Sequence, residues 1–154
     1  MSLSEAVRME REKRKQQAFI RREQDIVSVC ESLMAEKGVR QVSVDTIAAR
    51  TGIGKGTIYK HFESKRDLLI AIVERYFAML VELLSRSSDP ARALTDWIEA
   101  QLYATKRSLL MHELLKTLAE DQTAVARMEE GQRQMRKRLA QVLSGSSSTR
   151  GKPM

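Results

Sequence analysis

The sixteen residues from Ile47 to Phe62 constrain the fold of this chain more than any other stretch. They hold glycines at 52, 54 and 56, flanked by Ile47 and Ala48 on one side and by Ile58 and Phe62 on the other. Apolar residues at helical steps on both sides of a glycine cluster read as two short helices about a broken turn. Ser43 is placed to cap a helix from Val44 to Thr51, and Gly52 ends it because glycine takes positive φ without penalty. A second short helix runs from about Lys55 to His61, with Ile58 and Phe62 as its apolar contacts.

The surrounding chain extends the same pattern. Two prolines, seven glycines and nearly continuous 3.6-residue apolar spacing predict an all-α fold, and no segment alternates like a strand. A first helix is expected from about Glu23 to Lys37, its stripe being Ile26, Val27, Cys30, Leu33 and Met34, with Gly38 at its C-terminal cap. Ser64 and Asp67 make a capping-box-like start for a long helix to about Arg86, with Leu69, Ile72, Val73, Tyr76, Leu80, Leu83 and Leu84 inward. Asp89-Pro90 opens the next helix, whose expected buried face is Leu94, Trp97, Ile98 and Leu102. Met111, Leu114, Leu115 and Leu118 mark another. Asp121 caps the last, in which Val125, Met128, Gln132, Met135, Leu139 and Val142 form a narrow seam of the coiled-coil type.

These elements divide the chain into a basic arm (1–22), a three-helix domain containing the helix pair (23–66), a small helical body entered by the long helix (67–143), and a tail (144–154). The tail is Gly, Ser, Thr and basic residues and is expected to be disordered.

Charge is distributed unevenly. Lys and Arg number 27 against 20 acids, a formal +7, which favours a polyanionic partner. Residues 8–22 carry seven basic groups, and residues 37–66 another seven against only Asp45 and Glu63. A single cysteine, Cys30, excludes an intramolecular disulfide and suits a reducing compartment. The N-terminus lacks the apolar core of a signal peptide, and the longest apolar run, Leu68 to Val73, is too short to span a bilayer. A soluble cytoplasmic protein without membrane contact is expected.

The second short helix carries groups suited to a DNA duplex. In a helix-turn-helix the second helix enters the major groove with its N-terminal residues toward the bases. Gly54 and Gly56 let the backbone approach a phosphate closely. Thr57 can donate to phosphate or touch a thymine methyl, and Lys60 can pair with guanine or phosphate. Tyr59 and His61 can donate to phosphate oxygens, and Lys65 starts the following helix beside the same backbone. For His61 a half-buried role in the short helix is the alternative.

A glycine-interrupted helix pair alone also occurs in proteins that never meet DNA. The detailed run is more specific: Val44-Asp45-Thr46-Ile47-Ala48, then Thr51 through Phe62, then Ser64-Lys65 with Asp67-Leu68-Leu69. Through it, residues 23–84 resemble the DNA-binding domain of the TetR (tetracycline-repressor-like) family of bacterial regulators. The resemblance implies a three-helix DNA-binding head, a fourth helix leading to a ligand-binding and dimerisation body, and operator release when a small molecule binds. It places DNA contacts at Ser43, Val44, Gly54, Lys55, Gly56, Thr57, Tyr59, Lys60, His61 and Lys65, with Tyr59 and Lys65 as phosphate anchors. Bodies of the family usually continue through two further long helices, whereas here a Gly/Ser-rich segment follows Leu143. Either the seam of the last helix substitutes in dimerisation, or the chain is a shortened member that associates weakly.

In the body, Trp97, Tyr103, Met111 and His112 can line a largely apolar ligand pocket or simply pack the core. His112-Glu113 starts like a zinc-protease motif but has Lys116 at the position where the second histidine would stand, so no metal is expected. The basic arm can track phosphates or form a solvated extension of the first helix. Arg133, Arg136, Lys137 and Arg138 form a solvated face or an anion site. No nucleophile motif, cofactor loop or carboxylate-histidine set argues for an enzyme. The resulting expectation is a ligand-responsive repressor that binds a palindromic operator in double-stranded DNA as a homodimer, without a cofactor. The alternative is a shortened member that modulates a full-length relative and binds DNA weakly itself.

Overall fold

Ser2 opens the first helix. Its hydroxyl accepts from the Glu5 N–H at 3.3 Å and its own N–H donates to the Glu5 carboxylate at 2.8 Å, a reciprocal capping box. Helix α1 then runs unbroken over Leu3–Lys37, twenty residues earlier than the apolar stripe suggested. The missing stripe is the reason for the difference: residues 3–22 are almost wholly exposed and bury nothing that periodicity could detect. What sustains them is the absence of Gly and Pro, a high share of helix-favouring Ala, Arg, Lys, Glu and Gln, and the pairs Glu10–Arg14 (3.5 Å) and Glu12–Lys15 (3.6 Å). The computed structural model describes residues 1–102 and 105–148.

A 3-10 turn at Val39–Gln41 follows, then α2 (Val44–Thr51), α3 (Lys55–His61), α4 (Lys65–Ser85), α5 (Pro90–Leu102), α6 (Thr105–Leu118) and α7 (Gln122–Ser148). Among the described residues these seven helices occur without a strand. Two compact units form, one of residues 1–65 and one beginning at Arg66.

In the first unit, Ile26, Val27, Cys30, Leu33 and Met34 of α1 are buried, as are Val39, Val42, Val44, Ile47, Ile58 and Phe62. Ser43 caps α2 through its hydroxyl and the Thr46 N–H (3.2 Å), and Thr46 Oγ1 accepts from the Ser43 N–H (2.9 Å). Gly52 ends the helix at φ 71°, its N–H donating to the Ala48 carbonyl.

In the second unit, Asp89 caps α5 through the Ala91 N–H at 3.1 Å, and Asp121 caps α7 through the Ala124 N–H at 2.9 Å. That backbone bond chiefly, assisted by Arg66 at 2.7 Å, holds the Asp121 carboxyl below its ordinary value. Leu84, Ala93 and Val142 form a buried cluster covered by Leu94, Trp97 and Leu139.

Three expectations are corrected here. Ile98 and Leu102 are exposed, because α5 turns Ala93, Leu94 and Trp97 inward and the later pair drifts off that face. The α7 seam packs in part within the chain: Met128 and Val142 are buried, and Gly131 lies so close to Phe77 of α4 that a Cβ there would sit 3.1 Å from the ring. Val125, Gln132, Met135 and Leu139 remain half-buried. Finally, residues 144–148 continue α7 where disorder was expected, with the Ser144 hydroxyl donating to the Ala140 carbonyl.

Candidate nucleic-acid interface

The exposed side of α3 is built by burying its other side. Ile58 and Phe62 enter the first unit's core, and the 3.6-residue period then leaves Lys55, Gly56, Tyr59 and Lys60 in solvent. Tyr59 is 45% exposed despite its ring, which leaves both its apolar face and its hydroxyl available. Gly54 precedes α3 in an extended conformation with no capping side chain, so the first amides of the helix have no intrahelical acceptor. Thr57 is half-buried beside them.

Ser43 is exposed at the start of α2. Val44 next to it is only 7% exposed, so its side chain belongs to the core and only its backbone is placed for a contact.

Lys55 reaches back to Asp45 on α2, Nζ to Oδ1 at 2.9 Å. That hydrogen bond, with the carboxylate's charge, raises the lysine's pKa and keeps the ammonium protonated. On the far side of α2, Arg50 pairs with Glu36 of α1 at 3.3 Å. Both pairs are solvent-exposed and loosely held, so a polyanion can compete for either cation.

Two of the expected contacts are engaged within the unit. The His61 side chain is 2% exposed, stacked on Phe19 at 4.0 Å with the planes 22° apart, and its Nδ1 lies 3.2 Å from the Glu23 carboxylate. A carboxylate only accepts, so Nδ1 carries the proton. The ring braces α3 on α1 and is not presented to a phosphate. Lys65 Nζ donates to the Val39 carbonyl at 2.7 Å, tying the start of α4 to the 3-10 turn. Ser43, Gly54, Lys55, Gly56, Tyr59 and Lys60 are thus exposed and Thr57 half-buried, while His61 and Lys65 are engaged within the unit. Phe19, Glu23 and Asp45 were not among the expected site residues, although Phe19 and Glu23 stand four apart and would share a face had the helix been carried back to Leu3.

Of the expected pocket residues, Trp97, Met111 and His112 lie among the described residues. Trp97 packs on the Leu84–Ala93–Val142 cluster, with its Nε1 shielded and lacking an acceptor. Met111 is buried, His112 is exposed, and Tyr103 lies outside the described residues. A cavity of about 120 Å³ in the second unit is instead lined by Phe77, Val81, Gly131 and Gln134, and by Glu74 in an ion pair with Arg127. Of the α7 cations, Arg133 pairs with Glu130, and Arg138 bonds Ser85 and Gln141. Among the described residues no cluster of His, Cys, Asp and Glu is placed to hold a metal ion.

Comparison with known proteins agrees with this geometry. Residues 26–72 match the family described as bacterial regulatory proteins, tetR family. These residues form a helix-turn-helix unit of the TetR type. A curated relative, the HTH-type transcriptional regulator SAB2452 of Staphylococcus aureus (strain bovine RF122 / ET3-1), is 39% identical over 56 residues, 36% of this chain and 30% of the relative. The match thus spans less than a third of that relative's length. Among solved structures, a regulator of the TetR/AcrR type from Aquifex aeolicus VF5 is 27% identical with a TM-score of 0.56, covering 77% of this chain and 71% of its own. The regulator SCO7518 of Streptomyces coelicolor A3(2) shares the fold at 24% identity and a TM-score of 0.64, over 77% of this chain and 73% of its own. All three of these relatives are described as transcriptional regulators. No described helix is long and apolar enough to cross a membrane.

Proposed function

We propose that the chain is a sequence-specific, DNA-binding transcriptional regulator, a repressor that holds a palindromic operator as a cytoplasmic homodimer and releases it on binding a small molecule. The observation that carries this reading is the solvent face of α3, where Lys55, Gly56, Tyr59 and Lys60 stand clear on a short helix braced from behind by Ile58, Phe62 and His61. A rigid small helix with cationic and hydroxyl groups outward suits the major groove, where lysine reads guanine and the tyrosine hydroxyl holds a phosphate.

The dimer follows from operator symmetry. Two recognition helices meet successive major grooves when they lie about 34 to 36 Å apart, or a multiple of that.

A nuclease footprint on the DNA flanking the gene tests the reading. Two protected half-sites related by two-fold symmetry, lost when Lys60 and Tyr59 are replaced together, are expected. Uniform protection or none contradicts it.

A further inference from the structure

Helix α1 projects seven basic residues from its first two-thirds, and they are not spread evenly around it. Arg8, Arg11, Lys15 and Arg22 follow one another at steps of three, four and seven, which on an α-helix is one continuous stripe, and Arg14 and Arg21 flank it. Lys13 points to the opposite side. Arg14 and Lys15 are engaged by Glu10 and Glu12, whereas Arg8, Arg11, Arg21 and Arg22 are exposed and have no ion pair or hydrogen bond to the protein. From Arg8 to Arg22 the stripe is about 21 Å long at the helical rise per residue.

The root of this stripe is fixed to the recognition helix. Phe19 stacks on His61, the last residue of α3, and Glu23 holds the same imidazole at 3.2 Å, so Arg21 and Arg22 lie within one turn of the brace. The exposed apolar residues of the extension, Leu3, Val7, Met9, Phe19 and Ile20, are scattered around the helix and form no face opposite the cations. A membrane-surface helix needs such a face, and a phosphate backbone does not. Duplex DNA offers a charge about every 1.7 Å along its axis, so a rod of this length lies beside many phosphates.

We propose that the unpaired arginines of α1, Arg8, Arg11, Arg21 and Arg22, form a second surface that binds the DNA phosphate backbone. It supplies affinity without base readout and is held in register with α3 by the Phe19–His61–Glu23 brace. This rests on the reading that the α3 face binds DNA.

The test is the salt dependence of binding to a random-sequence duplex of about 40 base pairs, measured by fluorescence anisotropy for the full chain. Replacing the four arginines together (Arg8→Gln, Arg11→Gln, Arg21→Gln, Arg22→Gln) is expected to reduce the slope of log K against log salt by about three to four. Affinity at about 0.1 M salt should fall more than tenfold. Lys13→Gln is expected to leave the slope unchanged, and circular dichroism should show equal helicity in all three proteins. The inference is overturned if the quadruple variant keeps the native slope. It is equally overturned if Lys13→Gln lowers the slope as much per charge, or if the four arginines govern binding to phosphatidylserine vesicles but not to DNA. A control separates the two readings: if Tyr59→Phe with Lys60→Ala weakens DNA binding while the arginine variant does not, the α3 face stands and this surface falls. Absence of any duplex binding by the native chain removes both.

Discussion

The imidazole of His61 lies stacked on the ring of Phe19, centroids 4.0 Å apart, while its Nδ1 donates to Glu23. A residue whose type and place suggest a phosphate donor is thereby a brace between the recognition helix and α1. The stack and the hydrogen bond fix the end of a helix only seven residues long, which has too few internal bonds to hold itself.

His61→Ala is expected to destabilise the first unit by about 2 kcal/mol, combining a lost aromatic pair and buried ring with a lost hydrogen bond to Glu23. His61→Phe keeps the stacking and should cost no more than about 1 kcal/mol, with DNA affinity within a few-fold of native. Urea unfolding and anisotropy on both variants check this. A large affinity loss in His61→Phe at unchanged stability would restore the phosphate-donor role.

Lys65 is expected to affect stability as well as binding. Its ammonium donates to the Val39 carbonyl from a half-buried position, so Lys65→Ala leaves that acceptor unmet and should cost about 1 to 2 kcal/mol. A phosphate contact alone would lower DNA affinity and leave the unfolding midpoint where it was.

At Gly52 the backbone itself sets the requirement. With φ at 71° and open space around the missing Cβ, Gly52→Ala costs conformational energy only, about 1 kcal/mol, and Gly52→Asn less. Equal midpoints for alanine and glycine at this position in chemical denaturation would refute the assignment.

Cys30 is inert in the folded chain and couples stability to alkaline pH. Burial raises its thiol to about 12, against a partial lowering by Lys65. The unfolded thiol ionises near its ordinary value of 9.0, so above that the unfolded state holds fewer protons and is favoured. The stabilising contribution is complete below about pH 9 and is lost progressively as pH climbs toward 12. Cys30→Ala should flatten that decline, and thiol reagents at neutral pH should modify the native protein only after denaturant is added.

Short-range signals account for what could be read before the structure. Ser43 and Gly52 bound α2, and Asp89-Pro90 and Asp121 open α5 and α7, because a cap is a local hydrogen bond between neighbours. The exposed groups of α3 follow for the same reason, being set by the phase of Ile58 and Phe62. The N-terminal half of α1 stays an open alternative in the sequence because an exposed helix has no apolar stripe. The partners of His61 and Lys65 and the burial of Val44 are not legible for a different cause: Phe19, Glu23 and Val39, and the core around Val44, lie far away in sequence or depend on packing. Ile98 and Leu102 show the limit of periodicity, which finds an apolar face but not which edge of it meets the core.

The central claim is that the α3 face reads DNA sequence. Its most direct measurement is the ratio of affinities for a duplex from the region upstream of the gene and for a random duplex, at one salt concentration. A specific regulator should prefer the upstream DNA by about a thousandfold or more, and Lys60→Ala should shrink that ratio. Equal affinity for the two duplexes would contradict the account.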